Sequence, residues 1–164
     1  MEIQRRVVLF ELSGEVCAFP LEAVREILLT AELSHPPGLP PILKGFLKLS
    51  GEILGVIHLA RLFHLAEPPE GLYQHLVVLK GSTPPLALSV DYVRGVTMVE
   101  ANAFSPVGKK KIWNDCVESL ATVGRERIPL LIPEKLLLKE ERGVIAELQA
   151  EEKRRLGDLK GSRL

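Results

Sequence analysis

The chain has 164 residues, 46% of them hydrophobic and only 5% aromatic, with 21 basic residues balancing 21 acidic ones. That length and apolar content suit one domain or two small lobes sharing a core, whereas zero net charge and few stacking rings exclude a global attraction to nucleic acid or an anionic membrane. Cys17 and Cys116 are too few for a disulfide framework and read as buried free thiols in a reducing compartment, and neither a leader pattern nor an apolar run of roughly 18 to 20 residues, as a membrane span requires, is visible.

From Val7 to Leu21 two β-rich runs flank Ser13-Gly14-Glu15 and predict a hairpin. Leu21, Val24 and Ile27 then recur every third residue with Glu22, Arg25 and Glu26 between them, which predicts one or two helical turns. Leu28 and Leu29 add more apolar side chains than one face of such a helix buries, so this stretch is a candidate docking surface. Pro36, Pro37, Pro40 and Pro41 predict an extended surface loop. The runs 43–49 and 53–59, around Ser50-Gly51-Glu52, predict a second hairpin.

The pattern then repeats. Residues 7–27 lie without a gap on 76–96, placing Val8 on Val77, Ala18 on Ala87, Val24 on Val93 and Arg25 on Arg94. Likewise 46–63 lie on 120–137, placing Glu52 on Glu126, Leu54 on Ile128 and Leu62 on Leu136. Two half-length units with short strands and Gly/Pro turns predict a pseudo-symmetric pair of small β-barrels, with lobes at about 1–65 and 73–138 whose termini can cross over. After Pro133, the apolar residues Leu137, Leu138, Val144, Ile145 and Leu148 among many charges predict an amphipathic helix, with a possible break at Gly143 and a frayed tail from Arg154. The expected organisation is thus a domain over 1–138 followed by a helix and tail over 139–164.

Chemistry-bearing patterns are sparse. His35, His58, His64 and His75 share no ligand spacing with one another or with the cysteines, so no metal is expected. No nucleophile elbow, phosphate loop or zinc-protease motif occurs. Glu140-Glu141 and Glu151-Glu152 read as the charged face of the terminal helix, and Lys109-Lys110-Lys111 as a solvated loop. No catalytic residue and no cofactor is expected. A β-barrel module binding a small molecule or nucleic acid is the alternative that the fold alone would allow.

The segments F-E-L-S-G-E-V-C-A-F-P-L-E-A-V-R-E-I (10–27), P-P-I-L-K-G-F-L-K-L-S-G-E-I-L-G-V-I-H-L-A-R-L-F (40–63), A-L-S-V-D-Y-V-R-G-V (87–96) and A-T-V-G-R-E-R-I-P-L-L-I-P-E-K-L-L (121–137) resemble, in order, the CheW family of chemosensory adaptors. The resemblance covers about 7–138. It implies two SH3-like five-stranded barrels, a short helix in each half and a closing helix. It further implies a non-catalytic cytoplasmic adaptor, monomeric in isolation and recruited to membrane-bound receptor arrays. Such an adaptor joins the cytoplasmic tip of a chemoreceptor to the regulatory domain of a CheA-type histidine kinase, in chemotaxis or pilus-type motility. Carried over by position, Val24, Glu26, Ile27, Val90 and Val93 would meet the receptor. Lys48, Leu49, Ser50, Gly51 and Ile53 would meet the kinase. The chain departs from the family where Asn-Leu-Arg-Gly is usual and Lys48-Leu49-Ser50-Gly51 stands, and where Pro and Asp are usual and Gly55 and His58 stand.

Overall fold

The computed structural model describes residues 3–29, 31–67, 74–107 and 116–161, with side chains through 157. Lys109–Lys111 lie outside the described residues. Eleven strands occur among those described: β1 (Gln4–Leu12), β2 (Glu15–Pro20), β3 (Val24–Leu28), β4 (Leu43–Leu49), β5 (Glu52–His58), β6 (His75–Leu79), β7 (Leu86–Val90), β8 (Tyr92–Glu100), β9 (Phe104–Ser105), β10 (Val117–Val123) and β11 (Glu126–Leu131). Two α-helices join them, α1 (Leu59–Leu62) and α2 (Lys139–Gly161). The fold is mainly β.

The strands form two sheets, β8-β1-β2-β11-β10-β9 and β3-β6-β7-β5-β4. Superposing the internal repeat matches β1 to β6, β2 to β7, β3 to β8, β4 to β10 and β5 to β11. The order of the second sheet then reproduces that of the first up to β10, including the parallel steps β7–β5 and β2–β11. The repeat is therefore structural, but the expected boundary between 65 and 73 does not separate the sheets. Each half lends its first hairpin to the other half's sheet. Only Asp91 separates β7 from β8. A hairpin needs a loop of about two residues, so β8 cannot fold back on β7 and the chain runs on into the opposite sheet. The Leu21–Ala23 3₁₀ turn does the same between β2 and β3.

Exchanged hairpins place most strands between two apolar layers. Phe10, Leu12, Cys17 and Phe19 meet Ile57, Val77, Leu88 and Leu131 in one shared core, and the Phe10 and Phe19 rings stack at 4.6 Å between centroids. Alternate residues turn the other way: Val7, Ala18, Ile128 and Leu130 fill the six-stranded lobe, and Leu54, Val56, Leu76, Val78 and Ala87 fill the five-stranded one. Hence β6 and β7 are buried throughout, as strands covered on both faces must be. Both cysteines are buried and neither forms a disulfide, and burial, with Glu15 adding repulsion, pushes the Cys17 thiol up to about 12.

Neither ladder closes on itself among the described residues. Each sheet curls nevertheless: Ser34 and Phe46 exchange two backbone hydrogen bonds of 2.9 Å along the free edge of β4, and Arg5 on β1 reaches Glu118 on β10 at 3.0 Å.

Local expectations differ at three points. The predicted helix over 21–27 is a 3₁₀ turn followed by β3, because β-branched Val24 and Ile27 sit on an edge where ladder bonds to β6 are available. The short helices of the repeat fall instead after the second hairpins, as α1 and the 3₁₀ turn Pro133–Lys135. The terminal helix begins at Lys139, where the Glu141 carboxylate accepts from the Leu138 amide at 2.8 Å, and continues unbroken through Gly143 and past Arg154 to Gly161. Val144 and Leu138 of the predicted stripe are exposed. Ile145 and Leu148 pack on the core, and the seat is completed by Gln149 and Glu152.

Candidate functional site

Two surfaces carry the residues singled out in the sequence. The first is the outer edge of β3. Val24 pairs with Leu79 and Ile27 with Val77, two residues of the shared core; Val24 packs on that core and Ile27, half-buried, lies beside it along the same strand. A bulge between Val24 and Glu26 turns Glu26 opposite Val78. Leu29, just past the strand, is exposed. From the other lobe comes Val93, packed on the shared core, whose amide donates to His75 Nδ1 at 2.8 Å. His75 opens β6 beside the residues that pair with Leu28 and Ile27, so Ile27 and Val93 converge on the same end of β6. Val90 does not join them. It pairs with His75 but is 1% exposed within the shared core, because strand alternation turns it inward with Leu86 and Leu88.

The second surface is the β4–β5 turn. Ser50 and Gly51 stand at φ +50° and +80° between the pair Leu49–Glu52, a two-residue loop of the type that matches strand twist. Lys48 and Ser50 are exposed, while Leu49 packs on the core of the five-stranded lobe and Ile53 on the shared core. The turn is physically tied to the first surface: Arg25, between Val24 and Glu26, donates to the Glu52 carboxylate at 2.9 Å.

Neither surface assembles a reacting pair. Ser13 donates to the Ala66 carbonyl, and Ser82 accepts from the Leu86 amide at 3.0 Å on the wall of a cavity of about 240 Å³ whose floor is Leu79, Leu86, Leu88 and Leu136. Among the described residues no group of three or more His, Cys, Asp or Glu is placed to hold a metal ion, and no helix is long and apolar enough to cross a membrane.

The CheW-like domain family model matches residues 6–141, most of the chain. The chain belongs to the CheW-like family. Among solved structures, the scaffolding protein TtCheW from Thermoanaerobacter tengcongensis is similar in fold, with a TM-score of 0.72 and 21% identity over 79% of this chain and 89% of that one. No curated protein sequence matches.

Two of this CheW-like chain's departures from the family pattern have structural reasons. A Cβ on Gly55 would lie 3.1 Å from Ile145 Cγ2, 3.3 Å from Leu43 Cδ1 and 3.4 Å from Leu86 Cδ2, so the bare glycine is the socket into which α2 plugs Ile145. The Gly55 amide also donates to the Pro85 carbonyl at 3.3 Å, which a proline there could not do. His58 caps α1: its Nδ1 accepts from the Arg61 amide at 3.3 Å at the start of the helix. Burial, aided by the Arg61 charge, pushes the His58 imidazole below its usual value, which favours the neutral form whose Nδ1 can accept. For Ser50 the structure offers the turn geometry and no substitute for a guanidinium.

Residue-by-residue reading missed the polar lock of α2. Gln149 Nε2 donates to the Ile53 and Pro85 carbonyls at 3.0 and 2.8 Å, and Glu152 accepts from Ser34 and from Arg155 Nε at 2.6 Å. The signal was present in the spacing, since Gln149 and Glu152 stand four and seven positions after Ile145 on one helical face.

Proposed function

We propose that this CheW-like chain is a non-catalytic, cytoplasmic signal-transduction adaptor that couples chemoreceptors to a CheA-type histidine kinase in chemotaxis or pilus-type motility. The observation that carries the reading is the family match over 6–141 on a mainly β, two-sheet fold similar to that of a CheW scaffolding protein. In this reading each curled sheet is the wall of a small SH3-like barrel. The receptor tip lies along Val24, Glu26 and Ile27 with Val93 at the far end, giving a helical partner an apolar rim and one carboxylate. The kinase regulatory domain takes the Lys48–Gly51 turn and Ile53. The Arg25–Glu52 ion pair joins the two, so a partner on β3 and a partner on the turn contact residues one position from the same bridge.

The experiment is co-precipitation of the full chain with receptor cytoplasmic fragments and with the kinase regulatory domain. Binding of both is expected, and binding of neither overturns the proposal. Glu26→Lys should weaken receptor capture while kinase capture persists; Lys48→Glu should do the reverse. Both side chains reach solvent, and rim charges act on association more than on folding. If each variant loses both partners, or neither, the two surfaces are misassigned.

A further inference from the structure

We infer that the cavity of about 240 Å³ over Leu79, Leu86, Leu88 and Leu136 binds a small amphipathic carboxylate, its hydrocarbon body on those leucines and its carboxylate held by Arg142 and Lys80. This goes beyond the adaptor reading and does not depend on it. The floor is the shared core itself, left open where three distant segments meet: the β6–β7 connection, the turn Pro133–Lys135 running into Leu136, and the start of α2. Protein interiors are close-packed, with few voids larger than a water molecule. Leucine walls offer water no hydrogen bonds, so a space of this kind favours an apolar occupant. An apolar cavity of about 150 Å³ holds one benzene, and on that scale 240 Å³ holds about ten non-hydrogen atoms.

The polar groups of the cavity single out an anion. Arg142 and Lys80 line it, and among the described residues neither side chain has a hydrogen-bond or ion-pair partner. The helix does not account for Arg142. It is half-buried in the first turn of α2, where the helix dipole disfavours a cation. Its neighbours at helical spacing, Leu138, Lys139, Ile145 and Ala146, include no acid, and Lys139 repels it. A guanidinium that stabilises neither its helix nor an ion pair is available to a ligand, and its planar fork matches a carboxylate with two parallel hydrogen bonds. Lys80 is fixed on the other side, because its amide donates to the Ala23 carbonyl at 2.9 Å and the preceding Leu79 pairs with Val24. Ser82, whose hydroxyl oxygen accepts from the Leu86 amide at 3.0 Å, keeps its proton to donate. Glu134 is the one acid among the lining residues, so two cations against one carboxylate leave a net charge of +1. That balance suits a monoanion and opposes a dianion such as a phosphate monoester.

Sodium octanoate matches the cavity in size and charge and serves as the probe. Isothermal titration calorimetry of the full chain should show saturable binding with a Kd below about 1 mM, a modest affinity for a ligand of this size. Octan-1-ol should bind roughly tenfold more weakly or worse, and octylamine should not bind. Arg142→Ala should weaken octanoate by roughly tenfold and leave octan-1-ol unchanged, because only the charge-assisted contact is lost. Should Arg142→Ala misfold, Lys80→Ala, at an exposed position, should act in the same direction. Methyl resonances locate the ligand: those of Leu79 and Leu136 should shift on titration, while those of Val96 and Met98, exposed on β8, should not. The absence of saturable octanoate binding overturns the proposal. So does octan-1-ol or octylamine that binds as tightly as octanoate, octanoate binding that survives both Arg142→Ala and Lys80→Ala unchanged, or methyl shifts confined to Val96 and Met98.

Discussion

The socket between Gly55 and Ile145 can be tested by a double-mutant cycle. Ile145 is 1% exposed and its Cγ2 would lie 3.1 Å from a Cβ at position 55. Ile145→Ala removes a buried branched side chain and should cost about 2–5 kcal/mol. Gly55→Ala crowds three side-chain ends that must each give by a few tenths of an ångström, a cost of about 1–3 kcal/mol for overpacking. That cost is reduced by roughly 0.5–1 kcal/mol because alanine loses less backbone freedom than glycine on folding. In the Ile145→Ala background the tightest of the three contacts is gone and the new methyl fills part of the cavity. Gly55→Ala should then be close to neutral, leaving a coupling of about 1 kcal/mol between sites that touch. Urea unfolding of the four proteins, followed by far-ultraviolet circular dichroism at constant m-value, measures it. Losses that simply add, to within about 0.3 kcal/mol, would refute the idea that Gly55 is shaped for α2.

Glu152→Ala should cost about 1–3 kcal/mol, because it strands the Ser34 hydroxyl in a half-buried site. Since the Arg155 guanidinium, then the Ser34 hydroxyl, hold the Glu152 carboxyl below its ordinary 4.5 against the opposing effect of burial, its contribution is full above pH 4.5. It is lost as pH falls through the lower folded value, and thermal melts of Glu152→Gln should lose that acid limb. His58→Ala should cost about 1 kcal/mol through loss of the α1 cap. His58 is held below 6.5 in the fold, so its contribution is complete above that pH and disappears as pH falls through the folded value; His58→Asp should keep the cap and remove that dependence, read from melting temperatures between pH 5 and 8. Persistence of the acid loss in His58→Asp would show that another group causes it.

Much of the fold was legible in the sequence because hydrophobic period and turn chemistry are local. The Ser13-Gly14 and Ser50-Gly51 turns, both hairpins of each half and the terminal helix all follow from residues within a few positions of one another. The short element after Leu21 was misread because Leu21, Val24 and Ile27 satisfy a helical period equally well on a bulged strand, and only the ladder offered by β6 decides between the two. The candidate surfaces were legible as segments. Whether a valine in such a segment points outward was not: Val90 and Val93 look alike in the sequence, yet one faces the shared core and the other its rim.

Taken alone, the sequence determines that the chain has two similar halves, mainly β, with a helix at the end, because each repeat encodes the same alternation and the same turns. Which hairpin joins which sheet was decided only by the tertiary structure. A connector of one residue at Asp91 forbids β7 and β8 from pairing, and burial of both faces of β6 and β7 is achieved only when each half inserts its first hairpin into the sheet of the other. The same exchange sets Val93 beside β6, the strand that pairs with Ile27, and it leaves β8 at an edge, with Val96 and Met98 uncovered.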